Sequence, residues 1–308
     1  MSSISPQDRF VELFGGPLRR NEILAPYTTL GAGGKADLFI DVTNTEQLAK
    51  AIKLAGELGL KFFVIGGGSN LLVGDRGFRG LIIRNRLMGR KVQGNRLIVG
   101  AGEDLDKIVD LAADNSLTGM EFAAGIWGTI GGAIYGNAGA FGSEIGQILC
   151  EGEIIDSKGN IRRETGEYFE FTYRSSKLKK TKETVTEAIL ELNNGDKAEI
   201  NRRTLEIRQL RKQKHPVDIG SAGCFFKNIE DPHQEYGKLP AGKLLDEVGA
   251  KMLSVGDARV FEKHANIIIN SGQACAKDIR TLADILKKKV KDKFGLELEE
   301  EIISLGDF

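Results

Sequence analysis

Apolar and polar positions divide the chain into short strands and amphipathic helices. ADLFIDV (36–42) predicts a strand, and TNTEQLAKAIKLAGELG (43–59) predicts a helix that opens on a Thr43-x-x-Glu46 capping box. KFFVI (61–65) predicts a buried strand that runs directly into GGGSN (66–70). After a further strand, LIIRN (81–85), the order repeats: LIVGAG (97–102) is strand-like, EDLDKIVDLAADN (103–115) is helical, and the run GIWGTIGGAIYGNAGAFGSEIG (125–146) follows. EGEIID and NIRRETGEYFEF predict antiparallel strands joined by a turn at 157–160, and KLKKTKET (177–184) predicts a solvated loop. VTEAILEL returns as a strand. KAEINRRTLEIRQLRKQK (197–214) is a basic helix that stops before His215-Pro216, a predicted boundary. Beyond it, LPAGKLLDEVG, AKDIRTLADILKKKVKDKFG and LELEEEIISLG predict helix, helix and final strand around a strand HANIIIN. No solenoid repeat or low-complexity tract interrupts this order.

Two α+β units therefore each end in a glycine-rich loop, and the second loop holds eight glycines in 22 residues. Glycine loses the most backbone entropy on folding, so such density needs a reason: positive φ, or an object too close for a β-carbon. Backbone amides at strand-to-helix junctions bind anions, and a diphosphate is the natural guest. The standard nucleotide fingerprints do not fit. Neither GAGGKA (31–36) nor GGGSNL (66–71) has the G-x-G-x-x-G spacing, which disfavours a simple dinucleotide-binding Rossmann domain. GKLPAGKL (237–244) imitates a P-loop, but Leu244 stands where a hydroxyl must hold magnesium, and no apolar strand leads into Gly237.

Composition narrows the class. The 308 residues are 41% hydrophobic and 28% charged, enough for two or three packed domains, and 43 basic side chains balance 43 acidic ones. No global positive field invites nucleic acid, so an anionic ligand has to be held by local groups. No apolar run has the length of a membrane span, and the start MSSISPQDRF lacks a signal-peptide pattern, from which a cytoplasmic location is expected. Cys150, Cys224 and Cys275 are odd in number and far apart, and His215, His233 and His264 are scattered, which argues against a disulfide framework and a metal site.

Eight segments occur in a diagnostic order: TTLGAGGKADLF, VIGGGSNLLVGD, AGIWGTIGGAIYGNAGAFGSEI, TYRSSKLK, GSAGCFFKN, AGKLLDEVGAK, EKHANIIINSGQACAKDI and FGLELEEEIISLG. From about residue 21 to 306 the chain resembles the UDP-N-acetylenolpyruvoylglucosamine reductases, flavoenzymes of peptidoglycan precursor synthesis. The resemblance implies an α+β fold with a two-part FAD-binding module of the vanillyl-alcohol-oxidase type, expected at 1–86 and 87–211, and a smaller α+β substrate-binding domain at 212–308. It implies non-covalent FAD, NADPH as co-substrate, and a small UDP-sugar substrate. No nucleic-acid or membrane partner is expected, and the chain is expected to be a monomer or weak oligomer. The FAD diphosphate is expected on Gly66, Gly67, Gly68, Ser69 and Asn70 and on the second loop, through Gly125, Thr129, Gly131, Gly132, Asn137 and Gly139.

The implied reaction passes a hydride from NADPH to the flavin and then to the enolpyruvyl double bond, giving UDP-N-acetylmuramate. Charge then develops beside a carboxylate, and the site needs a cation and an acid. Arg174 in TYRSS matches the first need. Cys224 stands where the family usually carries a proton-donating serine; a thiol also carries a transferable proton. Period-two parity does not choose between Glu300 and Glu301, since each falls in phase with apolar neighbours. Alignment on the family's Leu-Glu-Pro-Glu ending assigns the catalytic glutamate to Glu301. Tyr173, Lys214, Lys227 and Asn228 are the expected substrate contacts, Lys214 toward the diphosphate. Trp127 replaces a proline common in the family's G-I-P-G turn, and Asn228 is followed by IEDP rather than proline. The short lysine-rich segment after Arg174 leaves no room for a tyrosine-bearing insertion, so the chain resembles the family's shorter subtype. Two other readings share some of these features: a flavin oxidase on the same FAD module, and a flavin-free nucleotide-sugar-binding regulator.

Overall fold

A computed structural model describes residues 4–234 and 237–308; the first three residues of MSSISPQDRF lie outside it. The chain forms two compact units. One comprises 1–22, 36–67 and 79–209, the other 23–35, 68–78 and 210–308.

The first unit contains two sheets. In the four-stranded sheet the order is Arg19–Ile23, Lys35–Val42, Phe78–Asn85, Phe62–Ile65, with the last two parallel. Helices α1 (Pro6–Phe14) and α2 (Thr45–Glu57) bring Phe10, Phe14, Leu48 and Ile52 into one core with Leu38, Ile40 and Leu81. The cap of α2 lies one residue later than the sequence predicts. Asn44 rather than Thr43 accepts the Gln47 amide at 2.9 Å, and Gln47 Oε1 reaches back to the Thr43 amide. Asparagine competes with threonine for the cap position, and Gln47 bonds the amide before the cap instead of closing a capping box.

The second sheet is antiparallel, in the order Ile161–Thr165, Leu149–Ile155, Thr184–Glu191, Arg96–Gly100, Arg90–Gln93. Helix α3 (Leu105–Asp114), capped by Asp104, and α4 (Ile130–Gly136), capped by Thr129, share a core with it that includes Ile108, Val109, Ile130, Ile134, Ile154 and Leu190. The expected strand NIRRETGEYFEF stops at Thr165. Residues 166–169 turn into a 3-10 helix whose Phe169 is fully buried, because tertiary packing of that ring outweighs strand alternation. KLKKTKET is likewise no free loop: it holds the one-turn helix α5 (Leu178–Thr181), anchored by buried Leu178, and Glu183 is buried against Arg162, Tyr168 and Thr181. Helix α6 (Lys197–Lys214) has the predicted extent.

The second unit has the antiparallel order Gly220–Cys224, Ile267–Asn270, Ala258–Val260, Ser254–Val255, covered by α7 (Ala241–Glu247) and α8 (Ala276–Phe294). Asp75 accepts the first two amides of α8, from Ala276 and Lys277, at 2.7 and 2.9 Å. Ile303–Leu305 pairs in parallel with Leu71–Val73. The predicted final strand is thus shorter than LELEEEIISLG; of its acidic part only Glu300 forms a bridge, with Phe226. No helix among the described residues is long and apolar enough to cross a membrane.

Candidate active site

In the first unit the two glycine-rich loops meet. A β-carbon on Gly66 would fall well inside van der Waals contact of Thr129 Oγ1, and one on Gly67 would stand 3.1 Å from the Gly128 Cα. These two glycines are therefore demanded by loop-on-loop packing. In α4, Gly132 would bring a β-carbon no nearer than 3.5 Å to its only neighbour, Thr129 Oγ1, and at Gly136 nothing lies within 4 Å. Each helical glycine costs about 1 kcal/mol relative to alanine, and no neighbour in the protein requires these two. They leave the bare surface that a flat, close-lying cofactor such as FAD needs, and the residues present fit that group.

The amides divide into those the protein uses and those it leaves. Gly125 N–H donates to Asp106 Oδ1 at 2.7 Å and Gly131 N–H to the Ala101 carbonyl at 2.9 Å. Arg208 fixes Asp106 from α6 at 2.9 Å, which ties the start of the second loop to the basic helix. Asn137 is 1% exposed, caps α4 with φ 46°, donates to the Thr172 carbonyl at 3.0 Å and accepts from Gly146 at 3.1 Å. Both ends of its side-chain amide are thus engaged inside the fold. Among the described residues, the amides of Gly67 and Gly68 donate no backbone hydrogen bond.

Arg174 sits in a turn closed by reciprocal Thr172 and Ser175 backbone bonds of 3.0 Å, with φ at 54°. Its Nη1 donates to the Gly139 carbonyl at 2.8 Å, and its guanidinium carbon lies 5.6 Å from the Tyr173 ring centre. Gly139 thus serves the arginine, and the glycine run serves two side chains outside it. Ser176 Oγ donates to the Tyr135 carbonyl at 2.8 Å, and Lys179 Nζ to the Arg174 carbonyl at 2.6 Å.

In the second unit a break in register between Ser221 and Cys224, with Gly223 at φ 73°, delivers Cys224 to the end of its strand. The next two residues are clamped by Asn266, 2% exposed: its carbonyl accepts from Phe225, its Oδ1 accepts from Phe226, and its Nδ2 donates to the Phe226 carbonyl. Phe225 in turn accepts the Glu301 amide at 2.8 Å, and Lys227 donates to the Glu299 carbonyl at 2.8 Å. The segment carrying Cys224 and the segment carrying Glu301 are thereby locked side by side. Asn70 adds a third hold, donating from Nδ2 to the Glu301 carbonyl at 3.2 Å and accepting from the Ile303 amide at 3.0 Å.

Glu300 has partners on a neighbouring helix. Glu300 receives Arg280 Nη1 on both carboxylate oxygens at 2.7 Å and Lys287 at 3.3 Å, so it is committed to α8. Lys227 is ion-paired with Glu299, and Asn228 Oδ1 accepts the first amide of α7 at 3.1 Å. Those two expected substrate residues therefore already have protein partners. Lys214 is exposed at the end of α6, beside His215. The His215 and His264 rings lie 5.5 Å apart. Burial, reinforced by Arg211, His264 and Lys214, pushes His215 down to about 4; burial and Lys214 also lower His264. Asn266, Asp106 and Lys179 were not singled out in the sequence. An asparagine inside the apolar run HANIIIN was the one available signal.

Models of known families match both parts of the chain: a FAD binding domain over residues 36–165, and the C-terminal domain of UDP-N-acetylenolpyruvoylglucosamine reductase over 215–305. The UDP-N-acetylenolpyruvoylglucosamine reductase of Clostridium tetani is 39% identical over 291 residues, 94% of this chain and 92% of the relative. The crystal structure of UDP-N-acetylenolpyruvylglucosamine reductase from Thermus caldophilus superposes with a TM-score of 0.80 at 36% identity, covering 94% of this chain and 99% of that one. Phl p 4.0202, a glucose dehydrogenase, shares 13% identity at a TM-score of 0.50, over 61% of this chain and 44% of its own; this likeness concerns the fold alone. The fold is α+β with a FAD-binding module of the vanillyl-alcohol-oxidase type.

Proposed function

Because the chain belongs to the UDP-N-acetylenolpyruvoylglucosamine reductase family, we propose that it reduces enolpyruvyl UDP-N-acetylglucosamine to UDP-N-acetylmuramate with NADPH, supplying a peptidoglycan precursor in the cytoplasm. The observation that carries this reading is the backbone lock of Cys224 beside Glu301, made while Glu300 is spent on Arg280 and Lys287. FAD, held without a covalent bond, would supply the hydride relay from NADPH to the terminal carbon of the enolpyruvyl group. Gly66 to Asn70, Thr129 and Gly132 would line its cradle, while Gly125, Gly131, Asn137 and Gly139 shape it.

The chain's own residues then do three things. Arg174 binds the substrate carboxylate and stays charged as electron density builds on the adjacent carbon. Cys224 gives that carbon a proton from its thiol, and the thiolate regains one from solvent. Glu301 acts from the neighbouring segment on the same proton transfer. Tyr173, Lys214, Lys227 and Asn228 hold the sugar nucleotide, Lys227 by exchanging Glu299 for substrate. We assign FAD binding to 1–86 and 87–211 and substrate binding to 212–308, in a monomer or weak oligomer.

Turnover in heavy water tests the assignment of atoms. One deuterium should appear on the carbon bearing the carboxylate, because that hydrogen arrives as a proton from a group in exchange with solvent; hydrogen relayed through a flavin also exchanges with solvent, so the terminal carbon is not the diagnostic position. Product without deuterium on the carbon bearing the carboxylate overturns the reading.

A further inference from the structure

The lysine-rich segment after TYRSS reads as solvated from its sequence, yet the fold pins it from several directions. Lys177 N–H donates to the Phe169 carbonyl at 2.8 Å, Leu178 is fully buried, and Thr181 Oγ1 donates to buried Glu183 at 2.7 Å. Tyr168 donates to the same carboxylate at 2.8 Å, while the Lys177 ammonium lies 4.2 Å from the Tyr168 ring centre. Lys179 is therefore held on both sides in the chain, and its Nζ points back to the Arg174 carbonyl at 2.6 Å while lying 5.9 Å from the Tyr135 ring centre.

Its target is a strained residue. Arginine gains nothing from positive φ, where its β-carbon crowds the following carbonyl, and such a conformation persists only if its surroundings impose it. At Arg174 those surroundings are three: the Thr172–Ser175 turn, the guanidinium bond to Gly139, and the ammonium of Lys179 on the carbonyl. Two of these bonds, from the Arg174 guanidinium to Gly139 and from the Lys179 ammonium, join a full charge to a neutral carbonyl, and a charge-assisted bond is roughly twice as strong as a neutral one; of the two, the Lys179 bond is the one that acts on the Arg174 carbonyl.

We propose that Lys179 is a positioning residue: by holding the Arg174 carbonyl it keeps the turn strained, and so presents the guanidinium ready-made to the substrate carboxylate. This rests on the carboxylate-binding role given to Arg174. Losing the donor lets the turn relax to negative φ, which swings the guanidinium away from its place over Gly139. Lysine at 179 thus acts on substrate and leaves the reaction with NADPH alone.

The test uses FAD-loaded enzyme and follows both half-reactions by stopped flow. Lys179→Met keeps the aliphatic stem and removes the donor; it should raise substrate KM and slow the substrate half-reaction about 10- to 100-fold, the range for one lost charged hydrogen bond. Flavin reduction by NADPH should stay within about 2-fold of wild type. Lys179→Arg should restore most of the lost rate, and Lys179→Gln, a neutral donor, should fall between. In an Arg174→Ala background, Lys179→Met should add nothing. Wild-type behaviour of Lys179→Met with substrate overturns the proposal, as do equal losses in both half-reactions or additive losses in the double variant. Arg174→Ala that handles substrate at the wild-type rate would instead remove the role given to Arg174 itself.

Discussion

Alanine at Gly66 would drive a methyl group into the hydroxyl that caps α4. The new carbon would lie more than about 1 Å inside ordinary contact with Thr129 Oγ1, while the Thr129 β-carbon stands at a tolerable 3.4 Å. Two responses are open. Thr129 can rotate and give up its bond to the Gly132 amide, costing about 0.5–2 kcal/mol, or the loops can separate at an overpacking cost of about 1–3 kcal/mol. Either response, or a mixture of the two, gives Gly66→Ala a loss of about 1–3 kcal/mol, a sizeable share of a typical domain stability of about 5–15 kcal/mol. Thr129→Ala alone should cost about 1 kcal/mol, and in its background the Gly66→Ala methyl meets no hydroxyl. The double variant should then be little worse than Thr129→Ala, a coupling of about 1–3 kcal/mol. Urea unfolding of flavin-stripped protein, read through the single tryptophan Trp127, gives the stabilities, and FAD titration gives the matching affinities. Additive losses within about 0.5 kcal/mol would refute the claim that the glycines of one loop exist to admit the other.

The remaining predictions concern the second unit. Glu301→Gln should slow the substrate half-reaction by about 10²–10⁴, whereas Glu300→Gln, which weakens the pairs with Arg280 and Lys287, should lower the unfolding midpoint and leave that rate within a few-fold; the reverse pattern of rates would exchange the two roles. Cys224→Ala should lose about 10²–10⁴ in the substrate half-reaction with normal flavin reduction, and Cys224→Ser should keep appreciable activity; a fully active alanine variant makes Cys224 core packing. The folded protein holds His215 near 4 against an ordinary 6.5, so the unfolded chain binds more protons between these values. Its contribution is whole above about pH 6.5 and is lost as pH falls toward 4; urea midpoints at pH 7.5 and 5 should fall further in wild type than in His215→Gln, and equal falls would contradict the sign.

Periodic segments were legible because one face of each is buried: the strand at 35–42, the helix at 105–114 and the long helix at 276–294 follow the apolar pattern closely. Motif order revealed the family and hence the cofactor class. What the pattern did not carry was anything decided by partners distant in the chain. Phe169 ends a strand by entering a core, and Glu183 turns a lysine-rich loop into a clamp. Glu300 and Glu301 have the same parity signal but differ through Arg280 and Lys287 on a helix. The glycine run has uses that composition does not separate. Density of glycine suggested amides facing a ligand, while Gly125 and Gly131 give theirs to Asp106 and Ala101, and Gly66 and Gly67 are small because another loop rests on them.

The central claim is that this chain carries FAD and uses it to move a hydride from NADPH to an enolpyruvyl sugar nucleotide. Its most direct test is the visible spectrum of the purified protein, kept free of oxygen, as each reactant is added in turn. The protein should be yellow, NADPH alone should bleach the flavin band, and enolpyruvyl UDP-N-acetylglucosamine should then restore it with one equivalent of UDP-N-acetylmuramate formed. A bleached flavin that ignores the sugar nucleotide and recovers only when oxygen enters would contradict the account.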